Sequence, residues 1–324
     1  MNIAFAGFRH DHIFGLYEAA AQNSEVTIVG AYEEDAATRE KVEREYGIHI
    51  SYNHYDALLN DDNVQAVAIG DYYGKRGAMV IEALKHGKHV ICDKPICTSL
   101  EELNEIEKLA EEKQLQVCCM LDLRYMPQIE KVKALIEAGD LGDIHIASFT
   151  GQHCLNYGVR PQWYFEEGKH GGTINDIAIH GIDLIRYITG KNLTKINYAR
   201  VWNAYADKVP EFKDCGQFNV DMDGMALSAD VSYAAPAFQG IMPTYWDFCF
   251  WGTKGMLNFN LKSGDIRIYR DAEEVIPCDE IEVTYLTDFI KEISGTKTIM
   301  NTKGILQSQR QVLQIQDFAF SLEA

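Results

Sequence analysis

Short apolar runs alternate with helix-like segments along the N-terminal part of the chain, up to residue 120. The runs are rich in β-branched residues, and the segments between them place apolar side chains three and four positions apart. Helices are predicted over 77–86 and over 100–112, with Ser99 as the N-cap of the second. The runs predict strands over residues 2–7, 26–32, 64–70, 89–92 and 115–120. This alternation is typical of a doubly wound α/β fold with a parallel sheet.

The pattern changes after a helix predicted over 127–138. The segments beyond it alternate apolar and polar residues, with few helices between them. They predict a mainly antiparallel sheet from residues 144–152, 195–204, 218–233, 247–261 and 265–269. Further helices are predicted over 173–188 and 302–322. The chain is therefore predicted to form two domains, residues 1–122 and residues 123–324.

Composition excludes several kinds of partner. Thirty Lys and Arg residues stand against 48 Asp and Glu residues, which gives a formal net charge of −18. Such a field repels phosphate backbones and anionic lipid, so neither nucleic acid nor a membrane is an expected partner. No apolar run reaches the ~20 residues of a membrane-spanning helix, and the chain starts in a strand pattern, which predicts a cytoplasmic protein. Eight dispersed cysteines predict reduced thiols.

The turn after the first strand is a candidate dinucleotide site. Ligands of doubly wound sheets bind beyond the carboxyl ends of the strands, where glycines let a pyrophosphate approach a helix N-terminus. Gly7 fits a G-x-G-x-x-G pattern, but Arg9 and His12 stand at its other two glycine positions. Arg9, His10 and His12 either supply charge and N–H donors to the cofactor, or the two imidazoles cap the first helix. Imidazoles two residues apart in a turn need not converge, so no metal site is predicted.

An acidic run at the end of the second strand bears on the choice of cofactor. Glu33 stands where this fold hydrogen-bonds the adenosine ribose hydroxyls, and two more acids, Glu34 and Asp35, follow it. Three adjacent carboxylates, with the next arginine at Arg39, would repel a 2′-phosphate. NAD(H) is therefore predicted over NADP(H). In the alternative interpretation, these acids only cap and solvate the next helix.

Two further segments place ionisable groups where chemistry is expected. The fourth strand ends in Asp93-Lys94-Pro95, so a lysine stands at the ligand-binding edge of the sheet on a backbone that Pro95 fixes. Asp176 and His180 are four residues apart on an otherwise apolar helix and therefore share a face. A buried carboxylate beside an imidazole persists when it is paired or used in chemistry. The alternative is a satisfied structural pair.

These motifs resemble those of the Gfo/Idh/MocA family of NAD(P)-dependent oxidoreductases over nearly the whole chain. Residues 93–95 are similar to its Glu-Lys-Pro motif, with Asp in place of Glu. Residues 171–183 are similar to its Gly-Gly…Asp…His…Asp helix. Residues 123–127 resemble its Arg-aromatic-x-Pro segment, and residues 252–255 its Gly-Thr-x-Gly turn.

The resemblance implies a Rossmann domain, a C-terminal α+β domain with a large open sheet, and a homodimer or homotetramer. It also implies hydride transfer between nicotinamide C4 and a secondary alcohol carbon of a sugar or polyol. Lys94, Asp176 and His180 would be catalytic: His180 takes the hydroxyl proton, Asp176 orients His180, and Lys94 stabilises the alkoxide. NAD contacts are expected from Gly7, Phe8, Arg9, His10, His12, Glu33, Gly70, Asp71, Tyr72, Asp93, Lys94 and Trp163.

Two departures from the family pattern fall near the expected site. Residues 71–76 read Asp-Tyr-Tyr-Gly-Lys-Arg where the family has Thr-Pro-Asn-x-x-His, so Tyr72, Tyr73 and Arg76 are expected to reshape the cofactor pocket. Tyr164 replaces an arginine that the family places beside the nicotinamide. The adjacent Trp163 is either a lid over the cofactor or a packed core residue. The substrate-binding candidates are Lys94, Tyr125, His153, Asn156, Tyr164, Asp176 and His180.

Three functions are compatible with these residues. The leading interpretation is an NAD-dependent dehydrogenase acting on a sugar, polyol or glycoside. In the second, the enzyme oxidises a glycoside transiently, releases the aglycone and returns the hydride, so that NAD is recycled internally. The third is a regulator that senses a nicotinamide or a sugar and has kept the fold. Retention of all three expected catalytic residues disfavours a regulator, because binding alone requires no base.

Overall fold

The structure is a computed structural model that describes residues 1–236, 242, 245–278 and 282–322. The N-terminal strands pair in parallel and are β1 (Asn2–Ala6), β2 (Thr27–Tyr32), β3 (Ala66–Ile69), β4 (His89–Cys92) and β5 (Val117–Cys119). They form one sheet in the order β2-β1-β3-β4-β5. The residues of β3 are fully buried, as expected of a parallel strand in a sheet that helices cover. The predicted doubly wound sheet is confirmed.

The helices of this region are α1 (His12–Gln22), α2 (Ala36–Tyr46), α3 (Tyr55–Leu59), α4 (Tyr73–Lys85) and α5 (Leu100–Lys113). Side chains satisfy the free N–H groups at two of the helix starts. Asp35 accepts the N–H of Thr38 at the start of α2, and Ser99 accepts that of Glu102 at the start of α5, as predicted. Helix α4 begins four residues before the predicted start at residue 77.

The strand order reverses between β1 and β3, because the chain goes from β1 to β2 on one side and then to β3 on the other. In doubly wound sheets this switch point is where ligands bind. Gly7 follows β1 with φ +80°, and a Cβ on Gly7 would lie 2.7 Å from the Cβ of Asp71. A Cβ on Gly70, after β3, would lie 2.5 Å from the Cβ of Ile13. Gly7 lets the ends of β1 and β3 approach each other, and Gly70 lets the start of α1 approach the end of β3.

The second sheet has eight strands in the described part of the chain, in the order β13-β12-β11-β10-β6-β9-β8-β7. Their bounds are β6 (Ile144–Cys154), β7 (Leu193–Trp202), β8 (Cys215–Met222), β9 (Met225–Ala235), β10 (Asp247–Gly252), β11 (Gly255–Asn260), β12 (Ile266–Tyr269) and β13 (Glu273–Ile276). Strands β6 and β9 are parallel neighbours, and the other neighbours pair antiparallel. The predicted large, mainly antiparallel sheet is confirmed.

Two of the predicted strand segments are hairpins. Residues 218–233 fall on β8 and β9, which are joined at Asp223 and Gly224, both with positive φ. Positive φ at both central residues of a two-residue loop is the type I′ geometry that suits a hairpin. Residues 247–261 likewise form β10 and β11, with a turn at Thr253 and Lys254.

The remaining helices are α6 (Pro127–Glu137), α7 (Ile179–Thr189), α8 (Tyr285–Ile293) and α9 (Thr302–Ser321), with single 3₁₀ turns at Asp122–Tyr125 and Gln162–Phe165. The helix predicted over 173–188 is not one α-helix, because a π-helical turn, Ile174–Ala178, precedes α7. Helix α8 was not predicted. Within the described residues, no helix combines the length and the hydropathy that crossing a membrane requires.

The chain folds into two compact units. The first comprises residues 1–120, 168–171 and 284–309, and the second comprises residues 121–167, 172–283 and 310–324. Within the first unit, Thr302 Oγ1 accepts the N–H of Val117 at 3.0 Å, and Gln309 Oε1 accepts that of Ile96 at 3.1 Å. The boundary predicted after residue 122 stays a prediction. That prediction does not assign residues 168–171 and 284–309 to the first domain.

Candidate active site

A buried charged cluster lies at the carboxyl end of β4. Asp93 is fully buried, and Arg76 Nη2 lies 2.9 Å from its Oδ2. His10 Nδ1 bonds the same oxygen, and His12 Nδ1 lies 3.2 Å from Oδ1. Burial raises the pKa of Asp93, but His10, Arg76 and His12 outweigh it and hold this pKa well below its usual range. Asp93 is therefore a carboxylate at neutral pH.

The two imidazoles of the turn converge on Asp93, which the sequence analysis did not anticipate. Three atoms that could bind a metal, two imidazole nitrogens and a carboxylate oxygen, lie within 4.8 Å of one another. Arg76 already neutralises the carboxylate, and the start of α1 adds positive potential, so the electrostatics disfavour a cation here. The prediction that no metal binds stays a prediction. The interpretation of the imidazoles as helix caps is replaced by their bonds to Asp93.

This environment makes the stability of the fold depend on pH. Burial lowers the pKa of His10 from 6.5 to about 4. The charges of His12 and Arg76 act in the same direction, and Asp93 acts in the opposite one. Between pH 6.5 and about 4, the unfolded chain therefore binds a proton at His10 that the native protein does not bind. Native stability is expected to fall as the pH drops through this window, by about 3 kcal/mol in full. Protonation of Asp93 costs stability only at lower pH.

The measurement is calorimetric unfolding at several pH values between 7 and 4. His10→Asn keeps a donor for Asp93 and removes the titrating imidazole, so its loss of stability across this window should be smaller than that of the unmodified protein. His49→Asn is the control, because the His49 side chain is 85% exposed. Equal pH dependence in His10→Asn and the unmodified protein would show that His10 does not titrate as described.

Glu33 lies at the end of β2 and is fixed by the turn that contains Gly7. Its Oε2 accepts the N–H of Phe8 at 2.7 Å, and its Oε1 accepts that of Asp35 at 2.8 Å and Arg9 Nε at 3.4 Å. A carboxylate offers about four acceptor positions, of which these described donors use three, so a ribose hydroxyl can be accommodated. Asp35, rather than Glu33, caps α2. The arrangement fits a dinucleotide.

Arg9 is a cation beside the acidic run that the sequence argument, which counted arginines along the chain from Glu33 to Arg39, did not include. Its Nη2 lies 3.6 Å from Asp35, in addition to the Nε bond to Glu33. Lys75 Nζ also reaches this region, at 2.8 Å from Glu34 and 2.9 Å from Asp71. The acids near the switch point are therefore partly neutralised from both adjacent turns.

Tyr72 and Lys94 complete the predicted cofactor residues of the first unit. The Tyr72 ring lies below two cations, with Arg9 at 5.9 Å and Lys169 Nζ at 5.1 Å from its centroid. Lys94 is 4% exposed, and its Nζ lies 5.9 Å from the centroid of the Tyr73 ring. A lysine is almost never this enclosed unless it is paired or used, so Lys94 is a candidate for chemistry at the ligand-binding edge of the sheet.

The second unit carries the other predicted catalytic pair. Asp176 lies in the π-helical turn and is 2% exposed, while His180 lies in the first turn of α7. Gln316 Oε1 accepts the N–H groups of Ile174 and Asn175 at 2.9 and 3.2 Å, which satisfies two of the free donors at this helix start. π-helical turns inside helices frequently mark functional sites.

Tyr233 is a site residue that the sequence analysis missed. Its hydroxyl donates to Asp176 Oδ2, and burial together with the Asp176 charge raises the pKa of Tyr233 well above 10. The phenol therefore keeps its proton and stabilises Asp176 as a carboxylate. The available signal is the alternation in β9: it places Tyr233 on the buried face, where a phenol needs a hydrogen-bond partner.

His180 lies in a cluster of aromatic side chains. Its ring centroid lies 5.7 Å from that of Trp246, and its Nδ1 lies 3.9 Å from Asp122 Oδ1. His153, a predicted substrate residue, contacts the same cluster, at 5.9 Å from Trp246 and 6.5 Å from Tyr233. The structure therefore brings His153, His180 and Asp176 into one neighbourhood.

Other predicted residues of the second unit have structural partners. Trp163 and Tyr164 are buried and stacked, with centroids 4.2 Å apart. Arg160 lies over Tyr164, and the exposed Asn156 accepts the N–H of Arg160 at 2.9 Å through its main-chain carbonyl. Tyr125 ends the first 3₁₀ turn and is half-buried. Roles for Trp163 at the cofactor and for Tyr125, Asn156 and Tyr164 at the substrate stay predictions.

Comparison with known proteins identifies a family and a fold. Residues 1–121 match an oxidoreductase family with an NAD-binding Rossmann fold, and residues 129–258 match the GFO/IDH/MocA C-terminal domain. The NAD⁺-dependent scyllo-inositol 2-dehydrogenase of Bacillus subtilis is 31% identical over 170 residues, 51% of this chain and 47% of that protein. Levoglucosan dehydrogenase of Pseudarthrobacter phenanthrenivorans is 28% identical over 153 residues, 46% of this chain and 39% of that protein.

The chain thus spans about half or less of the length of these curated relatives. Among solved structures, that of levoglucosan dehydrogenase in complex with NADH and levoglucosan has a TM-score of 0.81 at 18% identity and covers 100% of this chain and 98% of that chain. This similarity shows a shared fold. The prediction of NAD as the cofactor is confirmed by the family match. The chain belongs to the GFO/IDH/MocA family of oxidoreductases with an NAD-binding Rossmann fold.

Proposed function

We propose that the protein is an NAD-dependent dehydrogenase that oxidises a secondary hydroxyl of a sugar, polyol or glycoside to a ketone. The observation that carries the proposal is a buried imidazole, His180, four residues from a buried carboxylate, Asp176, whose charge Tyr233 stabilises. Alcohol oxidation needs such a base, because hydride leaves readily only from an alkoxide-like carbon. Relatives named as dehydrogenases of scyllo-inositol and levoglucosan support a sugar or polyol as the substrate.

The residues divide the chemistry between them. NAD⁺, when bound by the first unit, would supply the hydride acceptor at nicotinamide C4. His180 takes the hydroxyl proton at Nε2, since its Nδ1 is buried, and the O–H electron pair forms the C=O bond as the C–H bond breaks. Asp176 stabilises the imidazolium that results, and Lys94 stabilises the negative charge on the substrate oxygen before the ketone forms.

The turn after β1 and the end of β2 are proposed to hold the dinucleotide. Gly7, Phe8, Arg9 and His12 would face the pyrophosphate, where Arg9 supplies charge and His12 an N–H donor in place of glycines, while His10 holds the turn through its bond to Asp93.

Glu33 would accept a ribose hydroxyl through its remaining lone pair. The Glu33 carboxylate stands where a 2′-phosphate would lie and would repel it, which supports NAD over NADP.

The test combines a check for bound cofactor with a substrate panel. We expect freshly purified protein to bind NADH more tightly than NADPH and to form NADH from NAD⁺ with at least one compound in a panel of sugars, inositols, anhydrosugars and glycosides. His180→Asn should abolish this activity, and His49→Asn, with its exposed side chain, should retain it. Tighter binding of NADPH, or no NADH across the panel, would contradict the proposal. Release of an aglycone without net NADH would replace it with the redox-neutral mechanism.

We also propose a homodimer or homotetramer that works in the cytoplasm. Ile146 and Trp251 are direct cross-strand neighbours in the eight-stranded sheet, and 52% and 50% of their respective surfaces are exposed. Exposed apolar patches on a sheet face favour association with another subunit. All eight cysteines are free thiols, which suits a reducing compartment.

A further inference from the structure

Arg76 forms a buried clamp on the segment that carries Lys94. The Arg76 side chain is fully buried, and its Nη1 donates to the main-chain carbonyl oxygens of Lys94 and, at 3.2 Å, Pro95. Its Nη2 donates to Asp93 Oδ2, and its Nε donates to the carbonyl oxygen of Asp71 at 2.7 Å. One guanidinium therefore bonds three consecutive residues after β4 and the residue that begins the turn before α4. Few side chains besides arginine can make this set of bonds, because they require a rigid fork of N–H donors.

The clamp also determines what surrounds the Lys94 side chain. Arg76 stacks on the Tyr73 ring at 4.5 Å, and Lys94 Nζ lies above the same ring. The Tyr73 hydroxyl is 3.2 Å from His10 Nε2, and His10 Nδ1 bonds Asp93 in turn. Arg76, Asp93 and His10 thus fix both the backbone of Lys94 and the ring that its ammonium group faces.

We propose that Arg76 is the positioning residue of Lys94 and that Arg76 and Asp93 act as one matched pair. Both residues depart from the family pattern, which has His and Glu at these two positions, and the structure joins them through a buried ion pair. Arginine is longer than histidine, and aspartate is one methylene shorter than glutamate. The two departures therefore compensate in length. This inference rests on the proposed role of Lys94 in catalysis.

The test measures Lys94 itself, independently of activity. Cyanate carbamylates lysine amines, and peptide mass spectrometry gives the rate at each site. Lys88 is the internal reference: it precedes β4, is 7% exposed, and is bonded to the carbonyl oxygens of Asp61 and Val64. Arg76→His, Arg76→Lys and Asp93→Glu should each raise the Lys94 rate about tenfold while the Lys88 rate is unchanged, because only the segment after β4 is released. Arg76→Lys preserves the charge and loses the fork, so it separates positioning from electrostatics.

The double variant Arg76→His/Asp93→Glu is the decisive measurement. It restores the family pair, so its Lys94 rate should return to within about threefold of the original, a coupling that independent sites do not show. Double-variant rates equal to the product of the two single effects would overturn the matched pair. Equal rises at Lys94 and Lys88 would show a general loss of stability, and no rise at Lys94 would show that Arg76 does not hold it. Either result would overturn the positioning role.

Kinetics supply the second readout. In the single variants kcat should fall about 100-fold, the cost of a small misplacement of a catalytic group. The KM for the alcohol should stay within about threefold, because transition-state contacts alone are lost. If the unmodified protein oxidises no alcohol, the proposed function fails, and the carbamylation rates still decide whether Arg76 positions Lys94.

Discussion

Replacing Lys94 with methionine is expected to lower kcat for alcohol oxidation by about 10²- to 10³-fold. Methionine keeps most of the side-chain volume and removes the ammonium group that, in the proposed mechanism, stabilises negative charge on the substrate oxygen. The effect is large because Lys94 is 4% exposed, so water screens its charge weakly. Steady-state kinetics at saturating NAD⁺, on the substrate found in the panel, measure it.

The control is Lys41→Met, which removes an exposed lysine from α2 and should leave kcat unchanged. The NADH affinity of Lys41→Met should also be unchanged, since binding of the dinucleotide is assigned to residues that do not include Lys41. A Lys94→Met protein that keeps more than about a third of its kcat would remove Lys94 from the catalytic group.

Replacing Arg124 with methionine is expected to lower the free energy of unfolding of the second unit by about 3–5 kcal/mol. Arg124 Nε donates to Asp183 Oδ2 at 2.9 Å and its Nη2 bonds Oδ1, a two-point ion pair in which both residues are buried. The substitution removes the two-point bond and the charge of Arg124 from the buried Asp183 carboxylate. Urea unfolding followed by tryptophan fluorescence reports on this unit alone, since all four tryptophans belong to it: Trp163, Trp202, Trp246 and Trp251.

Two variants define the size of this effect. Arg267→Ala removes an ion pair to Glu273 in which both side chains are nearly half exposed, and it should cost far less stability than Arg124→Met. Arg124→Met/Asp183→Leu removes both charges and should recover much of the stability that Arg124→Met loses. If Arg124→Met costs no more than Arg267→Ala, the buried pair does not stabilise the second unit as described.

The sequence predicts the parallel sheet well because its strands are buried on both faces. A run such as Ala66–Ile69 is apolar at every position, and turn residues bound it. The hairpin at Asp223 and Gly224 was predicted as one strand, because apolar alternation continues on both sides of the turn. Asp-Gly between alternating strands is nevertheless a known hairpin signal and would have divided the segment.

The π-helical turn before α7 could not be predicted from local pattern. Its residues, Ile174–Ala178, are as compatible with an α-helix as with a wider turn. The residue that bonds the first N–H groups of the turn, Gln316, is remote in sequence. Gly172, with φ +101°, leaves room for the Gln316 side chain. Sequence spacing placed Asp176 and His180 on one segment, but the form of that segment depends on tertiary contacts.

The partners of the catalytic candidates were missed for a related reason. Tyr233 is 57 residues from Asp176, and His10 is 83 residues from Asp93. Neither separation corresponds to the period of a helix or a strand, so the sequence pattern does not indicate that these residues are in contact. Arg76 and Asp93 were each recognised as a departure from the family pattern, yet their connection became visible only when the structure placed one guanidinium against both Asp93 and the Lys94 backbone.

The return of residues 284–309 to the first unit has a consequence for the order of events during protein synthesis. A ribosome that has just completed β5 must add 164 more residues before it reaches residue 284, which takes roughly 10–30 s at common elongation rates. Throughout that interval the nascent Rossmann sheet lacks the bonds that Thr302 and Gln309 make to Val117 and Ile96. The nucleotide-binding unit is therefore complete only after most residues of the second unit have been synthesised.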